Sequence, residues 1–297
     1  LQSVSRAGDQ MMVSRDRFVR TIEDFQVQRA GIIIKKDNEA AADYAKRLQT
    51  WLEERSIETT FNELTPDLDL GIILGGDGTL LHVAETAARY EVPVIGINLG
   101  NLGFLTELTE TEAKPALRAI IGGSVTMELR SMLKARLLRN GRPADYRYAL
   151  NDVVISKNAA DRLLYLSTKA DNDYITTYKA DGLILSTPTG STAYSLSAGG
   201  PLVHPGLETI LVTPICPFML SSRPIILPAD KTISSEMQPD DSGASADIII
   251  DGQKGWEMRP GDILEVAQAE HPLHLIVSTE KDYFAILRNK LKWGSNA

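Results

Sequence analysis

Cysteine is almost absent from this 297-residue chain: Cys216 stands alone, so no internal disulfide can form and no cysteine pair can seed a structural zinc site. That scarcity suits a reducing compartment, and a cytoplasmic location is expected. No apolar run reaches the roughly 18 residues that a membrane-spanning helix needs, and residues 1–12 lack the apolar core of a signal peptide. Positive charge is in deficit as well. With 39 Asp and Glu against 31 Lys and Arg, the formal net charge is −8, which argues against broad binding to nucleic acid or anionic membrane and leaves room only for a local basic pocket. Two familiar phosphate-binding signatures, G-x-x-x-x-G-K-[ST] and G-x-G-x-x-G, do not occur.

What is present is the make-up of a globular protein, 43% hydrophobic and 24% charged, long enough for about two domains at roughly 150 residues each. From residue 30 the pattern alternates. Gly31 to Ile34, Ile57 to Phe61, Leu70 to Leu74 and Val92 to Ile97 read as strands, and Asn38 to Glu54 and Leu80 to Tyr90 as helices. Thr109-Glu110-Thr111-Glu112 has the form of a capping box opening a helix to Ile121. Beyond Gly123 short β runs take over, at Leu133 to Leu138, Tyr146 to Leu150, Leu163 to Thr168, Tyr174 to Lys179, Arg223 to Leu227, Thr232 to Met237, Ile248 to Asp251, Ile263 to Val266 and Leu273 to Val277. Asn140-Gly141 and Asp171-Asn172-Asp173 mark turns between them, and a last helix is predicted over Tyr283 to Leu291. The expected layout is an α/β domain over 28–125 joined by the C-terminal segment 278–297, a β-rich domain over 126–277, and an N-terminal extension over 1–27. That extension is expected to be partly vector-derived or processed, with Met11 or Met12 as natural starts.

Two segments carry chemistry. Gly75-Gly76-Asp77-Gly78-Thr79 follows the apolar strand and precedes a helix. Glycines clear side chains where backbone must turn and approach a ligand, and a helix N-terminus offers free N–H groups and the positive end of a dipole, a setting for phosphate. A carboxylate there repels phosphates unless it holds a metal or takes a proton, so Asp77 is a catalytic candidate; the plainer reading is a helix cap. The second segment, Thr187-Pro188-Thr189-Gly190-Ser191-Thr192-Ala193-Tyr194-Ser195, gathers hydroxyls and a glycine after Leu183-Ile184-Leu185. It suits a nucleotide, or simply a Ser/Thr-rich helix start.

Taken in order, GGDGT at 75–79, GINLGNLGFL at 96–105, Asn151-Asp152, Asp181-Gly182 and TPTGSTAYSLSAGGP at 187–201 resemble the bacterial NAD kinases, from about residue 28 to the end. GGDGT alone is shared with diacylglycerol, sphingosine and phosphofructokinase relatives; the long 187–201 stretch is more specific. The resemblance implies a Rossmann-like N-terminal domain and a β-sandwich C-terminal domain. It also implies transfer of a phosphoryl group from ATP, with Mg²⁺, to the 2′-hydroxyl of the adenosine ribose of NAD to form NADP, by a homo-dimer or homo-tetramer with no nucleic-acid or membrane partner. A lipid or small-molecule kinase sharing GGDGT, and a silent NAD or NADP sensor, are the alternatives.

Carried over residue by residue, the resemblance makes Asp77 the general base. Gly75, Gly76, Gly78 and Thr79 become the phosphate-donor loop, and His82 faces the phosphate from the helix. It puts NAD against Asp77, Gly78, His82, Asn151, Asp152, Arg162, Lys179, Asp181, Thr192, Ala193, Tyr194, Ser195, Leu196, Ser197 and Gln253. No metal-ligating side chain is assigned. The chain departs from the family pattern at Asp152, where Glu is usual, at Lys179, where Arg is common, and at Phe218, which replaces a His. Plainer readings remain for several of these: a turn at Asn151-Asp152, a solvated helical His82, a solvated Lys179-x-Asp181 pair, and an Asp251-Gly252 β-turn in place of a Gln253 contact. Cys216 is expected to be a buried core residue. His271 and His274 are expected on opposite strand faces without a third ligand, and Lys281, Arg288, Lys290 and Lys292 on an exposed helix face.

Overall fold

The computed structural model describes residues 18–35, 39–100, 103–158, 162–239, 245–278 and 282–293. Met11, Met12, most of the 1–27 extension, Asn38, Asn101, Leu102 and Lys281 lie outside the described residues. The chain divides into two compact units, Leu1–Leu129 with Leu273–Ala297, and Arg130–Pro272.

The first unit is mixed α/β. Its eight-stranded sheet runs in the order Val19–Ile22, Val125–Arg130, Leu273–Ile276, Val94–Asn98, Leu70–Leu74, Arg29–Ile34, Glu58–Phe61, with Leu108–Thr109 added beside Val94–Asn98. Leu70–Leu74 and Val94–Asn98 are buried at every position, and Leu70–Leu74 is paired in parallel on both sides. A strand covered on both faces needs a continuous apolar run, which is how both segments read. The helix Glu39–Glu53 buries Ala41, Tyr44, Ala45, Leu48, Trp51 and Leu52, an i, i+3, i+4, i+7 stripe laid against the sheet. The Thr109 box forms: the Glu112 carboxylate accepts from both the Thr109 N–H and its hydroxyl, each at 2.9 Å, and the helix Glu110–Ile121 follows.

Leu273–Ile276 is a correction. The sequence reading leaves it in the β-rich region 126–277, yet it pairs in parallel with Val94–Asn98 inside the first sheet. A short apolar strand carries no mark of the sheet it joins; the free flank of Val94–Asn98 decides it. Val19–Ile22 and Val125–Arg130, which pair antiparallel, are strands beyond the sequence reading: Val-Thr-Met-Glu-Leu-Arg carries the period-2 signal, whereas Val-Arg-Thr-Ile is too short to show one.

The second unit is β-rich. One of its sheets orders Arg147–Ala149, Leu133–Arg139, Ile263–Gln268, Ile233–Met237, Leu164–Ala170 and Asp173–Ala180, with Arg142–Pro143 beside Leu133–Arg139. The other orders Ile225–Pro228, Thr209–Ile215, Gly182–Ser186, Asp152–Lys157, Ala246–Ile250 and Gln253–Met258. Both feed one buried cluster, Leu133, Leu166 and Val266 from the first with Val153, Leu185, Val212 and Ile248 from the second. Two-residue turns at 140–141, 171–172 and 251–252 close hairpins, and left-handed dihedrals at Asn140 and Gly141 (φ 52° and 73°) and at Asp251 and Gly252 (45° and 79°) match the strands' twist. Cys216 is also a correction: it is exposed, at φ 43°, where the chain leaves Thr209–Ile215, outside the core its residue type favours.

Candidate functional site

In the first unit the glycine turn leads straight from strand to helix. The helix begins at Asp77, three residues before the expected start, with Gly76 as its N-cap, so Asp77 is the first helical residue and not the cap. Gly75 allows a close approach: a Cβ there would lie 2.4 Å from Thr79 Oγ1. At Gly76 and Gly78 a Cβ would meet nothing within 4 Å. Thr79 N donates to Gly76 O at 2.9 Å; beside the Asp77 and Gly78 N–H groups that open the helix, this leaves open space of the kind a phosphate needs. His82 is exposed one turn beyond the exposed Gly78, on the same helix face.

The Asp77 side chain turns to residues 103–106. Its Oδ1 accepts from Leu105 N (3.0 Å), Thr106 N (3.1 Å) and Thr106 Oγ1 (3.0 Å), while among the described residues Oδ2 accepts from Phe104 N alone (2.8 Å). An Asn98 amide donating to Thr106 Oγ1 at 3.1 Å steadies that hydroxyl. Gly103 is obligatory at the bottom of the cradle, since a Cβ would stand 2.0 Å from Asp77 Oδ1. Each carboxylate oxygen has about two lone-pair sites; Oδ1 is therefore saturated and Oδ2 keeps one acceptor position.

In the second unit three sequence-distant segments meet. Asp251, in the hairpin turn, accepts from Leu150 N on Oδ2 (2.7 Å) and from Asn151 N and Asp152 N on Oδ1 (2.8 and 3.0 Å). On the carbonyl side, Thr187 Oγ1 donates to Leu150 O at 2.6 Å and Thr187 N to Asn151 O at 2.9 Å. Gly190 N donates back to Thr187 Oγ1 at 3.0 Å, and Gly190 itself packs so near that a Cβ would fall 2.1 Å from Asn151 O. The turn then continues as a 3-10 helix over Thr189–Thr192 and a short helix over Tyr194–Ser197.

Asp152 is 6% exposed. Burial, then the nearby Asp251 charge, push its carboxyl up to about 7, against a lowering hydrogen bond from the Tyr194 N–H. Burial also raises Asp251, opposed by its three backbone donors. A carboxyl that titrates near neutrality can donate as well as accept toward a sugar hydroxyl.

Within the 192–197 stretch, Tyr194 and Ser197 are exposed and Thr192, Ala193 and Leu196 half-buried. Ser195 points the other way, fully buried with Oγ 3.0 Å from Thr213 Oγ1 and its carbonyl accepting from Gly200 N at 2.8 Å, so it is turned away from a ligand. Lys179 and Asp181 do not pair with each other: Asp181 lies 3.4 Å from Lys157 Nζ, and the Lys179 ammonium sits 4.6 Å from the Phe218 ring centroid and 5.2 Å from that of Tyr165. Phe218 N donates to Lys179 O at 2.8 Å, so the two departures from the family pattern are neighbours. Gln253 and Arg162 are exposed, Gln253 opening a strand next to the Asp251-Gly252 turn.

Sequence reasoning missed the cradle at 104–106 and the partner role of Asp251, which showed only as an Asp-Gly turn; Thr189, in the segment singled out for its hydroxyls, has a buried Oγ1 with no hydrogen-bond partner among the described residues. Among the described residues no three His, Cys, Asp or Glu side chains gather as a metal site, and no helix is long and apolar enough to cross a membrane.

Comparison with known proteins matches residues 60–125 to the family model of the ATP-NAD kinase N-terminal domain and residues 150–278 to that of the ATP-NAD kinase C-terminal domain. The NAD kinase of Geobacter metallireducens is 43% identical over 283 residues, covering 90% of this chain and 99% of the relative. That of Geotalea daltonii is 47% identical over 235 residues, 78% of this chain and 81% of the relative. Among solved structures, yeast NADH kinase complexed with NADH superposes with a TM-score of 0.83 at 26% identity, over 92% of this chain and 89% of that one. An NAD kinase from Archaeoglobus fulgidus in complex with ATP gives 0.69 at 25% identity, over 89% and 98%.

Proposed function

The chain belongs to the ATP-NAD kinase family, and from that premise we propose how its residues divide the work of moving the γ-phosphoryl of ATP to the 2′-hydroxyl of the adenosine ribose of NAD, giving NADP. Matches in both units favour this activity over a lipid kinase or a silent sensor. The observation that carries the residue assignment is the Asp77 cradle. Oδ1 is saturated and Oδ2 keeps an acceptor position, so Oδ2 takes the 2′-hydroxyl proton as the oxygen attacks the γ-phosphorus and the bond to the ADP leaving oxygen breaks.

The open side of Gly76 and Gly78, with Gly75 and Thr79 shaping the turn, receives the donor phosphates, and His82 adds charge from the same helix face. Asn151 and Asp152 hold sugar hydroxyls, the Thr192–Ser197 backbone and Tyr194 flank adenine and ribose, and Lys179, Arg162, Asp181 and Gln253 border the dinucleotide. Mg²⁺ entering with ATP would be held mainly by the phosphates and would neutralise their charge beside Gly76 and Gly78; no side chain among the described residues is assigned to hold it. The first unit is read as Rossmann-like and the second as a β-sandwich, in a homo-dimeric or homo-tetrameric enzyme of the cytoplasm.

The test is NADP formation from NAD and Mg-ATP, read with an NADP-specific dehydrogenase. Wild-type activity that falls by about 10² to 10⁴ in Asp77→Asn, with folding intact, is expected from loss of a general base; near-normal turnover in the variant would remove Asp77 from its role.

A further inference from the structure

We propose that Asp251 is the positioning residue of the dinucleotide site: its carboxylate, by gathering three consecutive backbone N–H groups, sets the conformation and spacing of Asn151 and Asp152 that the sugar hydroxyls require. The proposal rests on the reading of Asn151-Asp152 as a sugar-binding pair, and it adds a residue that touches neither sugar nor phosphate.

The geometry is specific to a short carboxylate. Leu150, Asn151 and Asp152 present successive N–H groups at 2.7, 2.8 and 3.0 Å to two oxygens of one side chain. Asparagine has one acceptor oxygen and would set its own NH₂ against an N–H. The holder is itself fixed: Asp251 stands in a left-handed turn at φ 45°, and its N–H donates to Asp152 O at 3.0 Å. With Thr187 donating to the carbonyls of Leu150 and Asn151, both edges of this backbone segment are occupied, and the Cα positions from which the two side chains project are held.

The same placement gives Asp251 an electrical effect. Asp152 stands opposite Ser186 of the paired strand Gly182–Ser186, takes a hydrogen bond from the Tyr194 N–H of the short helix, and feels Asp251 of the turn. Asp251 is the charged one among them, and its negative charge raises Asp152. Removing that charge lets Asp152 ionise at lower pH.

The experiment uses the full chain with Mg-ATP and NAD, measuring kcat and KM for NAD from about pH 5.5 to 8.5, beside thermal melts. Asp251→Asn is expected to raise KM for NAD about tenfold or more, as fits the loss of charged hydrogen bonds, while KM for ATP stays within about twofold. It should also move to lower pH the inflection of kcat/KM for NAD expected from an Asp152 carboxyl raised to about 7; a merely structural role would not shift it. Asp251→Glu keeps the charge and lengthens the reach, so the inflection should stay in place while KM rises, and it serves if Asp251→Asn does not melt cooperatively. An unchanged KM and inflection in the Asp251 variants, while Asp152→Asn weakens NAD binding, would overturn the proposal and leave the sugar-pair reading standing. An unchanged KM in Asp152→Asn would remove both.

Discussion

Asp152 shows at the residue scale how burying a carboxyl costs stability. Its carboxyl is raised from the ordinary aspartate range to about 7 by burial and by Asp251. An acid whose folded pKa lies above its unfolded value contributes most to stability below the unfolded pKa, and that contribution is lost as pH rises from about 4 towards about 7. Asp152→Asn should flatten this slope and make the protein more stable at pH 8, by on the order of 1–3 kcal/mol or a few degrees in Tm, while weakening NAD binding. Melts at pH 5 and 8 beside KM measurements check both halves. Thr189 makes the opposite kind of argument: its Oγ1 is buried without a partner, so Thr189→Val should leave Tm unchanged or raised. If a bound nucleotide satisfies that hydroxyl, calorimetry will show a several-fold loss of NAD or ATP affinity in the same variant.

Strand-to-helix turns govern the site at the scale of elements, and their glycines are of two kinds. Gly103 and Gly190 are packed against polar atoms, Gly103 under Asp77 Oδ1 and Gly190 against Asn151 O, whereas Gly76 and Gly78 border open space. Gly103→Ala is therefore expected to lower both Tm and kcat, by about 1–3 kcal/mol in stability and by tenfold or more in turnover, because the Asp77 cradle must open. Gly76→Ala, with an ordinary extended backbone at φ −86°, should melt like the wild type and raise KM for ATP. Parallel melts and kinetics separate the two. The glycines of the motif at 75–79 signal a tight strand-to-helix turn, but nothing local to it names the backbone donors at 104–106. Those are brought to Asp77 because Leu70–Leu74 and Val94–Asn98 are neighbouring strands, so the segments that leave them emerge side by side.

For the whole molecule, the return of the C-terminal segment is the decisive feature. Leu273–Ile276 lies between Val125–Arg130 and Val94–Asn98 in the first unit's sheet. A chain ending at Pro272 would leave two strand edges and an apolar strip uncovered, and it is expected to be insoluble or to melt without cooperativity by circular dichroism. A chain ending at Val277 keeps that strand, loses the helix Tyr283–Leu291, and should fold with a lowered Tm. The sequence alone determined the local elements with strong signals: the all-apolar strands, the Thr109 capping box, the Asn-Gly and Asp-Gly turns, and the motifs that mark the family. It did so because periodicity, capping and turn chemistry act over a few residues. Only the tertiary structure decided which sheet Leu273–Ile276 joins, that Cys216 is exposed and Ser195 buried, and that Asp251 holds Asn151 and Asp152 across about a hundred residues of chain. Those are outcomes of strand pairing and packing between distant segments, where the free edge and the shape of the partner, and not the residue type, set the result.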